Sequence, residues 1–361
     1  MNGTRRLRDA GQSIWLDNIT RGLLRSGGLR RYIEEFSVTG LTSNPTIFDN
    51  AIRGGQEYDQ AIREKLRTGR AGEALFFDLA LEDLTQAADL FRPVHELTNR
   101  VDGWVSLELS PTLAYDTPGS VTAAKELHAR AGRPNLFIKI PGTCEGVPAI
   151  EEAIFAGVPV NVTLLFSREQ YLAAAEAYVR GIERRVAAGL NAHVPSVASL
   201  FVSRWDAAVG DRVPPALRGR LGIAVAKRTY RAYRDLLASD RWLRLLNRGA
   251  RSQRLLWAST GTKDPKMSDL LYVVGLAAPH TINTMPEKTL LALADHGELG
   301  PRLARDGGDA EEVIGRFREA SIDVDALAAK LQEEGAAAFV KSWEDLLTCL
   351  AEKSETLRKA G

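Results

Sequence analysis

The sequence predicts a (β/α)8 barrel, an α/β class, with additional helices at its C-terminal end, and three features of the pattern predict it. Eight short apolar runs alternate with longer stretches whose apolar residues recur at three- and four-residue spacing. Such alternation implies parallel strands joined by right-handed crossover helices. Runs such as NLFIKIP (135–141) show no period-two gap, as strands do when helices cover both faces of a parallel sheet. Eight units of this kind fit a closed barrel better than an open sheet. From about residue 310 onward the strand pattern stops.

In order, the predicted strands are SIWLDNI (13–19), SVTGLTSN (37–44), WVSLELS (104–110), NLFIKIP (135–141), PVNVTLLFS (159–167), VPSVASLFVS (194–203), RLLWAST (254–260) and YVVGLAAP (272–279). Helical patterns follow the third, fifth and sixth in GSVTAAKELHARAG, SREQYLAAAEAYVRGIERRVAAG and AVAKRTYRAYRDLLAS. The tail, residues 300–361, ends in the amphipathic AAAFVKSWEDLLTCLAEKSETL and is read as peripheral helices packed outside the barrel. There is no repeat of fixed period, and the patches GDRVPPALRG and ARDGGDA are loop-sized, so residues 1–361 are expected to form one domain.

Bulk properties exclude several classes of partner. With 361 residues, 45% hydrophobic and 26% charged, the composition is that of an ordinary soluble globular chain. Lys and Arg total 47 against 46 Asp and Glu, so neither nucleic acid nor an anionic membrane is an expected partner. Any anion site must be local. Cys144 and Cys349 form no disulfide framework, no apolar run spans a bilayer, and MNGTRRLRDAG lacks the core of a signal peptide. A cytoplasmic location is the expectation. The five histidines show no paired ligand spacing, and no strand leads into G-x-G-x-x-G or a Walker loop, so neither a metal nor a cofactor is expected.

One residue contradicts its surroundings. Lys139 lies among Leu136, Phe137, Ile138 and Ile140, in a strand with no solvent side. Lysine is almost never fully buried without a partner. In a (β/α)8 barrel, chemistry gathers at the C-terminal ends of the strands, and these ends offer Asp17, Asn44, Glu108, Lys139, Asn161 with Thr163, Ser199 with Arg204, and Lys263. One polar residue in a strand is ordinarily a solvated end. Six strands each contributing one, with Lys263 just past the seventh, point to a site.

Such a set suits a Schiff-base aldolase. A lysine amine attacks a carbonyl only after losing its proton, and desolvation favours that loss from a reference pKa of about 10.4. The iminium that forms is an electron sink, so the C–C bond one carbon away can break and leave an enamine. Glu108 is the candidate acid/base for forming the Schiff base, directly or through a water held by Thr163. Asp17 is the candidate for the proton of the hydroxyl that becomes a carbonyl. Asn44 and Asn161 suit sugar hydroxyls, and the fork of Arg204 suits phosphate.

The stretches GLTSNPTIF (40–48) and LFIKIPGTCEGVPAI (136–150) resemble the two signature motifs of the transaldolase family. WLDNITR (15–21), NVTLLFS (161–167) and SVASLFVSR (196–204) resemble its first, fifth and sixth strands, and the likeness continues through WASTGTKDP and TINTMP. The resemblance implies a (β/α)8 barrel, no cofactor, sugar phosphates as small-molecule partners, and transfer of a dihydroxyacetone unit from a ketose phosphate to an aldose phosphate. It also implies that Lys139 is the Schiff-base lysine, with Glu108, Asp17 and Thr163 catalytic. Asn44, Asn161, Ser199, Phe201 and Arg204 then line the substrate. Many members have an arginine after strand seven where this chain reads STGTKDP, a departure from the family pattern, and Lys263 is the candidate to replace it as the second phosphate contact. The oligomeric state is left open, a homodimer being one option.

Each residue also has a structural reading. Lys139 alone would be a strand-end charge, Asp17 in WLDNI and Asn44 before Pro45 would be helix caps, and Arg204 would be one surface arginine among many. Three functions remain: a transaldolase, an aldolase that releases free dihydroxyacetone, and a barrel that only binds sugar phosphates. A binder has no need of a lysine in an apolar strand. The resembling aldolases carry tyrosine where this chain has Phe201, so Phe201 favours transfer over release.

Overall fold

The strands of the computed structural model, which describes residues 2–359, are Ser13–Asp17, Val38–Thr42, Trp104–Glu108, Leu136–Pro141, Val160–Leu165, Ser196–Phe201, Arg254–Ala258 and Ile282–Met285, labelled β1 to β8. Every neighbouring pair is parallel and β8 closes on β1, so the predicted barrel forms. The gapless runs are buried along their whole length in β3, β4, β5 and β6. Helices on the outside and side chains on the inside leave them no wet face.

Seven strands fall where the sequence places them; the eighth does not. YVVGLAAP (272–279) contains the short helix Leu271–Gly275 and a loop, and β8 is Ile282–Met285 instead. A short apolar run cannot be told from a buried helical segment by periodicity alone. The true strand is masked by its polar residues, which point into the barrel and bond to side chains there. Asn283 accepts from Thr260 Oγ1 at 2.8 Å, and Thr284 Oγ1 shares a hydrogen bond of 2.8 Å with Thr42 Oγ1.

Aromatic side chains floor the barrel. Trp104 stacks on Phe137 with ring centroids 4.1 Å apart, and Trp15 lies 6.2 Å from Phe137. Gly40 in β2 makes room for them, since a Cβ there would fall 2.6 Å from the Trp15 indole. Below the floor the N-terminal ends of the strands are tied together by charge. Asp102 accepts from Trp15 Nε1 at 3.0 Å and from Arg254 Nη1 at 3.3 Å, and Arg254 Nη2 donates to Ser13 Oγ at 2.6 Å.

The tail is helical as expected, and its helix Ala310–Glu319 packs on the outer helix Leu221–Leu237, but the rest does not stay peripheral. Its last helix, Val324–Lys359, crosses the C-terminal mouth. Gln332 Nε2 donates to the carbonyls of Gly142 and Leu164, both at 2.9 Å, which ties the helix to the ends of β4 and β5. Farther along, Ser342 accepts from Thr46 at 3.0 Å, and Trp343 packs edge-on against Phe76 with centroids 4.9 Å apart. The residues that touch down recur at three- and four-residue spacing, as one face of a helix requires. Patterning shows that such a face exists; it does not show what the face meets.

Removing Asp102 tests the charged base. Asp102→Ala leaves the Trp15 N–H and the Arg254 guanidinium without their carboxylate in a buried setting, and breaking such a pair costs about 3–5 kcal/mol. Denaturant unfolding is expected to show a loss of that order. An unchanged midpoint would mean that the network does not hold the barrel closed.

Candidate active site

Side chains alternate along a strand, so the residue two positions above a floor aromatic also points inward. That rule carries Trp15 to Asp17, Phe137 to Lys139, and Trp104 through Ser106 to Glu108. Glu108 and Lys139 are register partners across β3 and β4, and Lys139 and Asn161 across β4 and β5. The barrel therefore sets the three side by side.

Lys139 is only 6% exposed, and its ammonium donates to the Ser43 carbonyl at 3.2 Å. Glu108 Oε1 lies 3.6 Å from Nζ. The second oxygen, Glu108 Oε2, and the nearby Thr163 Oγ1 are both buried with no hydrogen-bond partner in the protein. A buried polar atom left unpaired costs free energy, so these atoms are suited to groups brought by a ligand. Burial raises the Glu108 carboxyl above its ordinary range against the pull of Lys139. A carboxyl so placed can take and return a proton beside the amine.

Asp17 closes the opposite side. Burial raises its carboxyl too, opposed by Lys139, by a hydrogen bond from Thr42 Oγ1 at 2.7 Å and by Lys263. It does not cap the next helix, Arg21–Arg25, whose cap is Thr20 accepting from Leu23 N. Asn44 serves two ends at once. Its side chain accepts from Ile47 N at 3.1 Å, capping the helix Pro45–Arg53, and the residue also lines a cavity at the C-terminal mouth of the barrel.

That cavity measures about 290 Å³. It brings together Asp17, Asn44, Lys139, Thr163, Ser199, Phe201, Arg204 and Lys263. Glu108 and Asn161 are not on its wall. Glu108 reaches the lysine from behind, in a cleft shared with Asn44 and Trp343. Asn161 is fully buried, with Nδ2 donating to Ser106 Oγ at 3.0 Å and Oδ1 accepting from Ser199 Oγ at 2.7 Å. Its amide is committed to protein partners, and it orients Ser199.

Arg204 and Lys263 give the cavity a cationic side. Arg204 is half-buried beside two aromatic rings, and burial lowers its guanidinium from the ordinary arginine value. Lys263 is exposed on the loop after β7 and lines the same cavity. Two strained backbone positions lie close by. Leu164 adopts φ 59° where the β5–β6 register shifts, and Ser259, just past β7, adopts φ 55°. Such conformations cost about 1–3 kcal/mol each. The bulge at Leu164 breaks strand alternation directly after Thr163.

Three residues at the site escape the sequence reading. Thr42 lies on β2 below Asn44, and inward alternation from Asn44 points to it. Thr284 is hidden by the misplaced eighth strand. Phe339 arrives on the tail, where no strand rule applies.

The buried carboxyl of Asp17 makes a signed prediction. A carboxyl raised on folding binds its proton more tightly in the native chain than in the unfolded one, so stability falls as pH rises from the ordinary aspartate range through the raised value. Asp17→Asn removes the charge and keeps an acceptor for Thr42. The variant is expected to unfold at a higher temperature near neutral pH, with the gain vanishing below the ordinary aspartate range. Thermal unfolding across pH checks this, and a less stable variant at neutral pH would contradict it.

Comparison with known proteins agrees with this geometry. The family model described as Transaldolase/Fructose-6-phosphate aldolase matches residues 14–350. The chain is 43% identical to a transaldolase of Arthrobacter sp. (strain FB24) over 366 aligned residues, covering 99% of each. It is 44% identical to transaldolases of Saccharopolyspora erythraea and Thermobifida fusca, with 96% of this chain aligned and 96% and 97% of the relatives. The chain belongs to the transaldolase/fructose-6-phosphate aldolase family.

Proposed function

We propose that this protein is a transaldolase that moves a dihydroxyacetone unit from a ketose phosphate such as sedoheptulose 7-phosphate to glyceraldehyde 3-phosphate, as in the pentose phosphate pathway. The observation that carries the reading is the Lys139 amine, buried in an apolar strand 3.6 Å from a carboxylate and opening on a cavity with cations at its other side. Lys139 attacks the ketose carbonyl. Glu108 moves the protons of carbinolamine formation and dehydration, with Thr163 holding the water that carries them. Asp17 then takes the hydroxyl proton as the C–C bond breaks, and the aldose phosphate leaves while the enamine stays on Lys139. Reversal with a new aldehyde completes transfer. Arg204 and Lys263 hold the phosphate, Ser199 and Asn44 meet sugar hydroxyls, and Asn161 keeps Ser199 in place.

Transfer is favoured over simple release by the wall around the enamine. Phe201 presents a buried ring with no hydroxyl to organise a protonating water, and it packs against Phe166 with centroids 5.3 Å apart.

A coupled assay with sedoheptulose 7-phosphate and glyceraldehyde 3-phosphate is expected to form fructose 6-phosphate. Free dihydroxyacetone produced as fast as transferred product would assign the aldolase reaction instead. Arg204→Ala is expected to raise KM for phosphorylated substrates far more than for unphosphorylated ones, because the guanidinium holds the phosphate and not the reacting carbons. Equal losses with both would remove the phosphate role. Lys263→Ala, measured in the same way, is expected to show the same preference.

A further inference from the structure

Phe339, in the middle of the terminal helix, lines the cavity beside Lys139 and Arg204. Its ring centroid is 5.9 Å from Lys139 Nζ and 5.8 Å from Arg204 Cζ, and it meets the Phe201 ring edge-on at 6.5 Å. Phe201 lies over the same guanidinium at 5.1 Å. Among the described residues Arg204 has no hydrogen-bond or ion-pair partner; burial and the distant charge of Glu108 are what act on it. Aromatic packing, not an acceptor, sets its direction, and its N–H donors stay available to a ligand.

Phe339 is not loosely hung. One turn before it, a Cβ on Gly335 would lie 3.0 Å from the Leu164 side chain and 3.3 Å from Arg204 Nη1, so the helix approaches as closely as a missing side chain allows. Two turns before it, the Gln332 amide clasps the carbonyls of Gly142 and Leu164.

We propose that Phe339 is a positioning and specificity-determining residue with two separable effects. Its π face steadies Arg204 toward the phosphate, and its bulk keeps water from the enamine carbon on Lys139. The inference rests on reading Lys139 as the Schiff-base lysine. Leakage would run as follows: the enamine carbon takes a proton, the resulting iminium takes a water, and dihydroxyacetone leaves as Lys139 returns as an ammonium. A roof that excludes water favours the acceptor aldehyde over that route.

Leucine keeps apolar bulk and removes the π face; alanine removes both. Steady-state kinetics are measured with glyceraldehyde 3-phosphate and with unphosphorylated glyceraldehyde as acceptors, dihydroxyacetone release is measured without acceptor, and thermal unfolding shows that each variant is folded. Phe339→Leu is expected to raise KM for the phosphorylated acceptor about tenfold relative to the unphosphorylated one, with the ratio of release to transfer near the parent value. Phe339→Ala is expected to show the same KM split and a severalfold higher release ratio. Equal KM changes for both acceptors would overturn the positioning role, and an unchanged release ratio in the alanine variant would overturn the exclusion role. If alanine unfolds the chain, Phe339→Val takes its place in the release measurement under the same criterion. A parent protein that neither transfers nor releases dihydroxyacetone would overturn the Schiff-base reading itself, and that result is separate from any difference among variants.

Discussion

The Lys139 ammonium and the Glu108 carboxylate face each other at 3.6 Å inside a closed barrel, each less than a tenth exposed. At an effective dielectric of 20 their attraction is about 4–5 kcal/mol, while withdrawing each ion from water costs several kcal/mol. The pair does not hold the barrel together. The barrel holds the pair: strand register puts the two side by side, the Ser43 carbonyl takes one N–H, and the aromatic floor admits no alternative partner from below. What stability does not explain, chemistry does, since a desolvated amine beside a proton-accepting carboxyl is what carbonyl attack needs.

The rest of the structure is arranged around that constraint. Asp17 and the left-handed backbone at Leu164 and Ser259 add to the cost at the mouth. At the opposite end Asp102 joins Trp15 and Arg254 beneath the aromatic floor. The terminal helix acts on both sides of the balance. It packs Trp343 against the outer core, and it lowers Phe339 over Lys139. Closing the mouth makes electrostatic effects inside it stronger, and in the proposed mechanism this is the helix's contribution, made without a titrating group.

Much of this is legible in the sequence, for a physical reason. A charge in a gapless apolar run is unfavourable, so Lys139 and Glu108 stand out from their strands, and the barrel follows from alternating periods. Where polar side chains bond to one another inside the barrel, the apolar run that marks a strand is interrupted: Asn283 and Thr284 mask β8, while YVVGLAAP imitates a strand because its apolar residues are buried elsewhere. Asn161 can be read as inward-facing, but its commitment to Ser106 and Ser199 depends on neighbours from β3 and β6. Phe339 depends on where a helix remote in sequence comes to rest, and only packing decides that.

Covalent trapping tests most directly whether Lys139 is the nucleophile. Fructose 6-phosphate added with borohydride should reduce the imine and fix a three-carbon unit irreversibly, and mass mapping of the digested protein locates it. The expected result is a single adduct, on the peptide that carries Lys139, and loss of activity in step with its formation. An adduct on another lysine, or full activity with none trapped, would contradict the assignment.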